Sequence, residues 1–416
     1  AMENPSTAVF MEQLQVDDRY LLDDNWDQII AHELFHHWFG NVVTTESWAN
    51  LPMNESFANY SEYLWLEHKY GEDEAGLMWK EELDTYLFEA GRKRVDLIRY
   101  RYLDKENMFD SHSYAKGGLI LHLLRQQIGD EAFFESLRRY LKQHEFTSVE
   151  VHDLRLIIEE VTGRDMNWFF NQWFLDKGHP QINISHSYDS GKVEMYVKQL
   201  QWAKHTPIYE IPTEVAIWVN GEKTVHTVMV DSAENRFVFE VPAEPDLVLF
   251  DPDHVIPGEM DFLKPTHEFI FQFYQADNIL HKMLSLEELA TDVQDPAIKK
   301  VFMDALGHDF WRLRELAASA FEDYDGPDKA LIAERLKAMA LNDPKSLVRA
   351  TAVGTLASFG AQYLPVAEQA LQDSSYLVQA TALYAYANLG GPEPVARMES
   401  MEDTRDITLM ATLADF

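Results

Sequence analysis

The chain of 416 residues carries 70 acidic against 35 basic side chains, a formal net charge of −35, and combines 46% hydrophobic and 12% aromatic residues with no cysteine. Such a length suggests roughly two to four globular domains, each with its own core. The acidic balance makes nucleic-acid phosphates and anionic lipid poor partners, and the lack of cysteine excludes a disulfide framework and zinc-thiolate chemistry.

No stretch approaches the ~18 apolar residues of a membrane span, so no membrane insertion is expected. The opening AMENPSTAVF has neither the basic nor the apolar region of a signal peptide. Nothing in the sequence chooses between a cytoplasmic and a periplasmic location. Residues 1 to about 25 read as an extended segment followed by a loop.

The first strong pattern is His32-Glu33-Leu34-Phe35-His36. Two histidines four residues apart lie one turn above one another on a helix and can grip one metal ion. Glu33 points to a neighbouring edge of that face, where it can take a proton from a metal-activated water. Catalytic zinc sites usually use three protein ligands and keep a fourth position open. Glu55 is the candidate third ligand, because the intervening residues let the first helix end near Gly40 and a second begin near Pro52, with the glutamate in its first turn. Further along the same face, Glu62 can accept a hydrogen bond from the outer nitrogen of a ligand histidine.

From Asp27 to about Lys177 the pattern is helical, with stops at Gly71, Gly129 and Gly163. After Lys177-Gly178-His179-Pro180 the period changes. QINISHSY, KVEMYVKQL, TEVAIWV, TVHTVMV, RFVFEV and DLVLFD are short, alternating and β-branched. Asn220-Gly221 marks a hairpin, and strands of this number and length fit a small β-sandwich. Beyond Pro265 helices return with a repeat: Leu313-Arg314-Glu315-Leu316-Ala317 aligns with Val348-Arg349-Ala350-Thr351-Ala352 and Val378-Gln379-Ala380-Thr381-Ala382. Helical pairs that bury a small-residue face on the next pair are the mark of a HEAT-like α-solenoid. The expected plan is therefore multidomain and mainly α. It places a metal-binding helical lobe at 1–178, the β-sandwich at 179–264 and an incomplete HEAT-like domain at 265–416.

Taken together, Ala1-Met2-Glu3-Asn4, the stretch from His32 to Asn41, Asn54-Glu55-Ser56-Phe57-Ala58 and Tyr114-Ala115-Lys116-Gly117 resemble, in order and spacing, the aminopeptidase N family of zinc gluzincins, which includes the leukotriene hydrolase type. Trp173 followed by Gly178-His179-Pro180 resembles that family's exit from its thermolysin-like catalytic domain. Ser56 departs from the family pattern, which has glycine after the ligand glutamate. The resemblance also implies that this is the C-terminal part of a longer enzyme, the N-terminal portion being missing.

What the resemblance implies is a zinc-dependent aminopeptidase acting on peptides, with one Zn2+ per chain held by His32, His36 and Glu55. Glu33 would be the general base and then acid, and Tyr114 would donate to the oxyanion. Glu3 would bind the substrate's amino terminus, although its place near the chain end predicts fraying. His37, His112 and Lys116 are not expected to take part. The chain by itself is expected to have weak activity or none. The alternative is a non-catalytic peptide-binding or scaffold module built on the acidic repeats, and lipid-epoxide hydrolysis, as in one branch of the family, is a third reading that nothing here requires.

Overall fold

The computed structural model describes residues 3–202 and 204–415. The chain forms two compact units, one of residues 1–10, 27–268 and 277–280, the other of residues 11–26, 269–276 and 281–416.

In the first unit the helical lobe begins with α1 (Asp27–Phe35), the short strand β1 (Val43–Thr45), α2 (Pro52–Tyr70) and α3 (Glu72–Ala90). A π-helical turn (His112–Lys116) runs straight into α4 (Gly117–Ile128), followed by α5 (Asp130–Gln143), β2 (Thr147–Val149), α6 (Val151–Thr162) and α7 (Asn167–Trp173). Gly71, Gly129 and Gly163 end α2, α4 and α6, as their positions after the apolar periods predict. One feature escapes the helical pattern: β1 and β2 pair in parallel, Val43 opposite Thr147. Helix α1 also stops at Phe35, short of the expected Gly40, and the chain continues in a turn.

The strands that follow are β3 (Gln181–Asp189), β4 (Lys192–Gln199), β5 (Ile211–Val219), β6 (Glu222–Val230), β7 (Glu234–Glu240), β8 (Leu247–Phe250) and β9 (Glu259–Phe262). They form two small sheets, in the orders β7-β4-β3-β9 and β6-β5-β8. Alternation does the sorting: Val193, Met195 and Val197 of β4 are fully buried while their neighbours face outward. The β5–β6 turn is Asn220-Gly221, with φ of 52° and 79°, so both central residues take the left-handed conformation of a type I′ hairpin. Buried residues of both sheets and of α4, α6 and α7 belong to one hydrophobic cluster. Trp173, 1% exposed, packs its ring 4.6 Å from that of Tyr209. Burying such a side chain contributes about 1.5–3 kcal/mol.

Helices α8 (Thr266–Gln275) and α9 (Ile279–Leu289) lead to the paired helices α10 (Pro296–Ala305), α11 (Trp311–Ala320), α12 (Lys329–Asn342), α13 (Ser346–Ser358), α14 (Leu364–Ala370) and α15 (Tyr376–Asn388), then α16 (Pro394–Glu399) and α17 (Ile407–Ala414). The aligned residues of the repeat are its core: Leu313, Val348 and Val378 are 0% exposed, as are Ala317, Ala352 and Ala382. Arg314 clasps Asp343 through two hydrogen bonds of 2.8 Å, and Arg349 clasps Asp373 through two of 2.9 Å, so each arginine ties its helix to the next turn. The third repeat has Gln379 at that position. Its Oε1 accepts 2.7 Å from Arg19, and Asp23 accepts from the backbone N–H of Leu377 at 3.0 Å. Residues 11–26 are thereby an integral strap of the second unit, which no sequence pattern announces.

Candidate metal centre

All the predicted site residues lie in the first unit. His32 projects from α1, and the turn after Phe35 keeps a helical bond from the His36 N–H to the His32 carbonyl, 3.3 Å. That bond holds His36 one turn above His32 although the helix has formally ended, and the two rings sit 4.8 Å apart at 83°. Glu55, in the first turn of α2, is 3% exposed. Its Oε2 lies 3.4 Å from Nε2 of His32 and 3.4 Å from Nε2 of His36.

The outer faces of both imidazoles are committed. Nδ1 of His32 bonds Oε1 of Glu62 at 2.8 Å, and Nδ1 of His36 bonds the Phe39 carbonyl at 3.0 Å. A carboxylate and a carbonyl only accept, so both Nδ1 atoms carry hydrogen and both Nε2 lone pairs can point at Glu55. His32, His36 and Glu55 offer one ligand atom each within 4.8 Å of one another. A metal ion bound at about 2.0–2.1 Å in tetrahedral geometry holds its donors about 3.3 Å apart, close to the spacing of Glu55 Oε2 from each nitrogen. Glu55 Oε2 is buried and faces the two imidazole nitrogens, as expected of a ligand oxygen. The donor set fits a divalent ion.

With protons as the only cations, the triad behaves as an ion cluster. Burial alone would lower His32, yet its hydrogen bonds to Glu55 and Glu62 prevail and raise it to about 10. Burial alone would raise Glu55, yet the two imidazoles hold it at about 2. Burial would lower His36 too, yet Glu55, with Glu3 and the Phe39 carbonyl, raises it.

Around the triad stand the other three predicted residues. Tyr114 lies in the π-helical turn with its ring stacked on His32, centroids 5.9 Å apart and planes 11° apart. Burial, then the charge of Glu55 and a hydrogen bond to it, push the Tyr114 phenol up, so it stays protonated and able to donate. Glu33 is half-buried, and its charge is one of those that push up both Tyr114 and Glu3. Glu3 is not frayed, contrary to expectation: Oε1 is buried 3.9 Å from Nδ1 of His36 and has no hydrogen-bond partner among the described residues. The reason is a close backbone approach, because a Cβ on Gly40, at φ +140°, would lie 2.6 Å from Cγ of Glu3. Burial first, opposed by His36 and reinforced by Glu55, raises the Glu3 carboxyl.

A second acidic and histidine grouping, Glu89, Asp110 and His112, is an ion-pair network. Arg99 and Lys93 both bond Asp110, and burial lowers His112 to about 4. Arg99 and Asp110 were missed by sequence reasoning, since nothing in their spacing signals the contact. Glu82, beyond Glu62 on α3, was missed for the same reason.

Residues 1–173 match the family described as the peptidase family M1 domain, and residues 332–414 match HEAT repeats. The chain is 30% identical over 202 residues to aminopeptidase M1-A of Oryza sativa subsp. japonica, covering 47% of this chain and 23% of that protein. It is 29% identical over 254 residues to leucyl aminopeptidase of Saccharolobus solfataricus, covering 58% and 31%, and 33% identical over 193 residues to aminopeptidase N of Lactococcus lactis, covering 44% and 23%. The crystal structure of Legionella pneumophila aminopeptidase A in complex with aspartic acid shares the fold, with a TM-score of 0.72 at 16% identity over 93% of this chain and 51% of that one. The chain thus spans about a quarter to a third of the length of the curated relatives it matches, and about half of that solved chain.

Proposed function

As the chain belongs to peptidase family M1, we propose that it carries the centre of a zinc-dependent aminopeptidase that hydrolyses the N-terminal peptide bond of peptides. The observation that carries this reading is the convergence of Nε2 of His32, Nε2 of His36 and Oε2 of Glu55, with the two nitrogens each 3.4 Å from the same oxygen. His32, His36 and Glu55 would hold one Zn2+ per chain. When bound, zinc supplies Lewis acidity to the scissile carbonyl and brings the pKa of a water to about 7.

The chain's own residues do the rest. Glu33 takes the proton of the attacking water and returns it to the leaving amine. Tyr114, kept protonated by its surroundings, donates to the oxyanion of the tetrahedral intermediate, a contact of the kind that contributes about 2.7–4 kcal/mol. Glu3 pairs with the free ammonium of the substrate and so sets cleavage one residue from its end. Glu62 fixes the ring of His32. Apart from residues 11–26, which belong to the second unit, we also retain the domain plan of 1–178, 179–264 and 265–416, with the two sheets that share a core read as a β-sandwich.

The test is zinc content together with turnover of aminoacyl anilides, comparing wild type with Glu33→Gln. An aminopeptidase centre keeps its zinc in the variant and loses its rate. Because the chain spans only part of its relatives' length, we expect weak or absent turnover from these 416 residues alone. A robust rate would refute that expectation, and a wild type that binds no zinc would favour a scaffold role.

A further inference from the structure

Tyr114 lies on a π-helical turn, a rare conformation found mostly as a single turn and often at functional sites. The peptide that joins Ser113 to Tyr114 is gripped at both polar atoms. The Tyr114 N–H donates to the Asp110 carbonyl at 3.2 Å, and the Ser113 carbonyl accepts from the hydroxyl of Ser56 at 2.7 Å. Ser56 and Ser113 are each 0% exposed. Asp110 in turn accepts from the Ser113 N–H at 2.9 Å, and Arg99 holds that carboxylate at 2.7 Å while also donating to the Ser113 hydroxyl at 3.0 Å.

Ser56 directly follows the metal-ligand candidate Glu55 on the first turn of α2. Its hydroxyl therefore joins the backbone that carries Glu55 to the peptide that carries Tyr114. The opposing surface has been emptied to admit it. A Cβ on Gly117 would lie 1.8 Å from Oγ of Ser56, and a Cβ on Gly118 would lie 2.2 Å from Oδ1 of Asn59. Glycine at both positions lets α4 approach α2 closely enough for the Ser56 bond to form.

We propose that Ser56 is a positioning residue for Tyr114, locking the phenol in register with the triad by clamping the Ser113–Tyr114 peptide to the start of α2. This rests on the reading of Tyr114 as oxyanion donor. The side chain at this position then sets how strongly the centre holds a tetrahedral intermediate rather than whether it holds a metal. Glycine at position 56, the residue the family pattern would place there, lacks the clamp.

The experiment uses the full chain, zinc-loaded, with the affinity of an aminophosphonate mimic of the tetrahedral intermediate as one readout. Ser56→Ala is expected to weaken binding roughly three- to tenfold, the worth of one net hydrogen bond, with zinc content unchanged. Tyr114→Phe weakens it further, and the double variant binds as Tyr114→Phe alone, because the clamp acts only through the phenol. The second readout needs neither zinc nor ligand: 3-fluorotyrosine placed at position 114, whose 19F resonance shifts or broadens in Ser56→Ala. Ser61→Ala is the control for loss of a buried hydroxyl, since among the described residues the Ser61 hydroxyl donates to the Ala58 carbonyl of its own helix, and it leaves the resonance where it was. An unmoved resonance in Ser56→Ala, or additive losses in the double variant, overturns the proposal. A moved resonance with a Tyr114→Phe variant that binds as wild type upholds the clamp and overturns the oxyanion role instead.

Discussion

Nδ1 of His32 lies 2.8 Å from Oε1 of Glu62, on the edge of the ring opposite the nitrogen that faces Glu55. The bond fixes the tautomer and the ring plane before any ion arrives. Glu62→Ala should therefore lower zinc affinity by roughly 10–100-fold without altering helix content. Competition against a chelator of known affinity checks this, and equal affinities would reduce Glu62 to an ordinary helix residue.

The close approach of Gly40 to Glu3 supplies a different handle. Gly40→Ala puts a methyl 2.6 Å from Cγ of Glu3, forcing that side chain to move, and also disfavours the φ of +140°. We expect the affinity for aminoacyl anilides to fall by about tenfold or more, the worth of a hydrogen bond to a charged group, while N-acetylated analogues are unaffected. Equal losses for both would show that the change acts on the metal ligands instead.

Zinc uptake should release protons. His32 is raised to about 10, so at neutral pH its imidazole carries a proton that a metal must displace, and His36 is raised as well. Apparent zinc affinity then rises with pH through the neutral range. Calorimetry in two buffers of different ionisation enthalpy measures the number released, and identical heats in both would contradict the proton-held triad.

Glu82 gives a pH dependence that belongs to the fold. Burial first, then the charge of Glu62, raise its carboxyl from 4.5 to about 7, against a 3.2 Å hydrogen bond from Asn59 that favours ionisation. Glu81 also raises it and His32 lowers it, while Tyr63 and His122 share its small cavity. A carboxyl raised on folding binds its proton more tightly in the folded chain, so its contribution to stability is present below 4.5 and is lost as pH rises through about 7. Denaturant midpoints at intermediate and alkaline pH should fall less for Glu82→Gln than for wild type. Parallel profiles would place the ionisation elsewhere.

The parts of the site legible in the sequence were those fixed by local periodicity. His32 and His36 are four apart, and Pro52 starts the helix that presents Glu55, so spacing alone brought them close. The Asn220-Gly221 hairpin was legible because the left-handed conformation of both residues leaves few other choices. What stayed hidden depends on contacts between distant segments. The π-turn at Tyr114 is made by Asp110, Arg99 and Ser56, which come from three stretches of chain. Strand β9 is a short edge strand with no fully buried residue, paired in parallel with β3, so it lacks the apolar signature that betrayed the others. Glu3 is tucked in by the missing side chain of Gly40, which no rule about chain ends anticipates.

The most direct measurement is the zinc stoichiometry of the purified chain after removal and return of the metal, for wild type and for His32→Ala, His36→Ala and Glu55→Ala. The account expects one tightly held ion in wild type and its loss in each variant, with Glu33→Gln keeping it. A wild type that takes up no zinc, or a Glu55→Ala variant that holds it as tightly, would contradict the account.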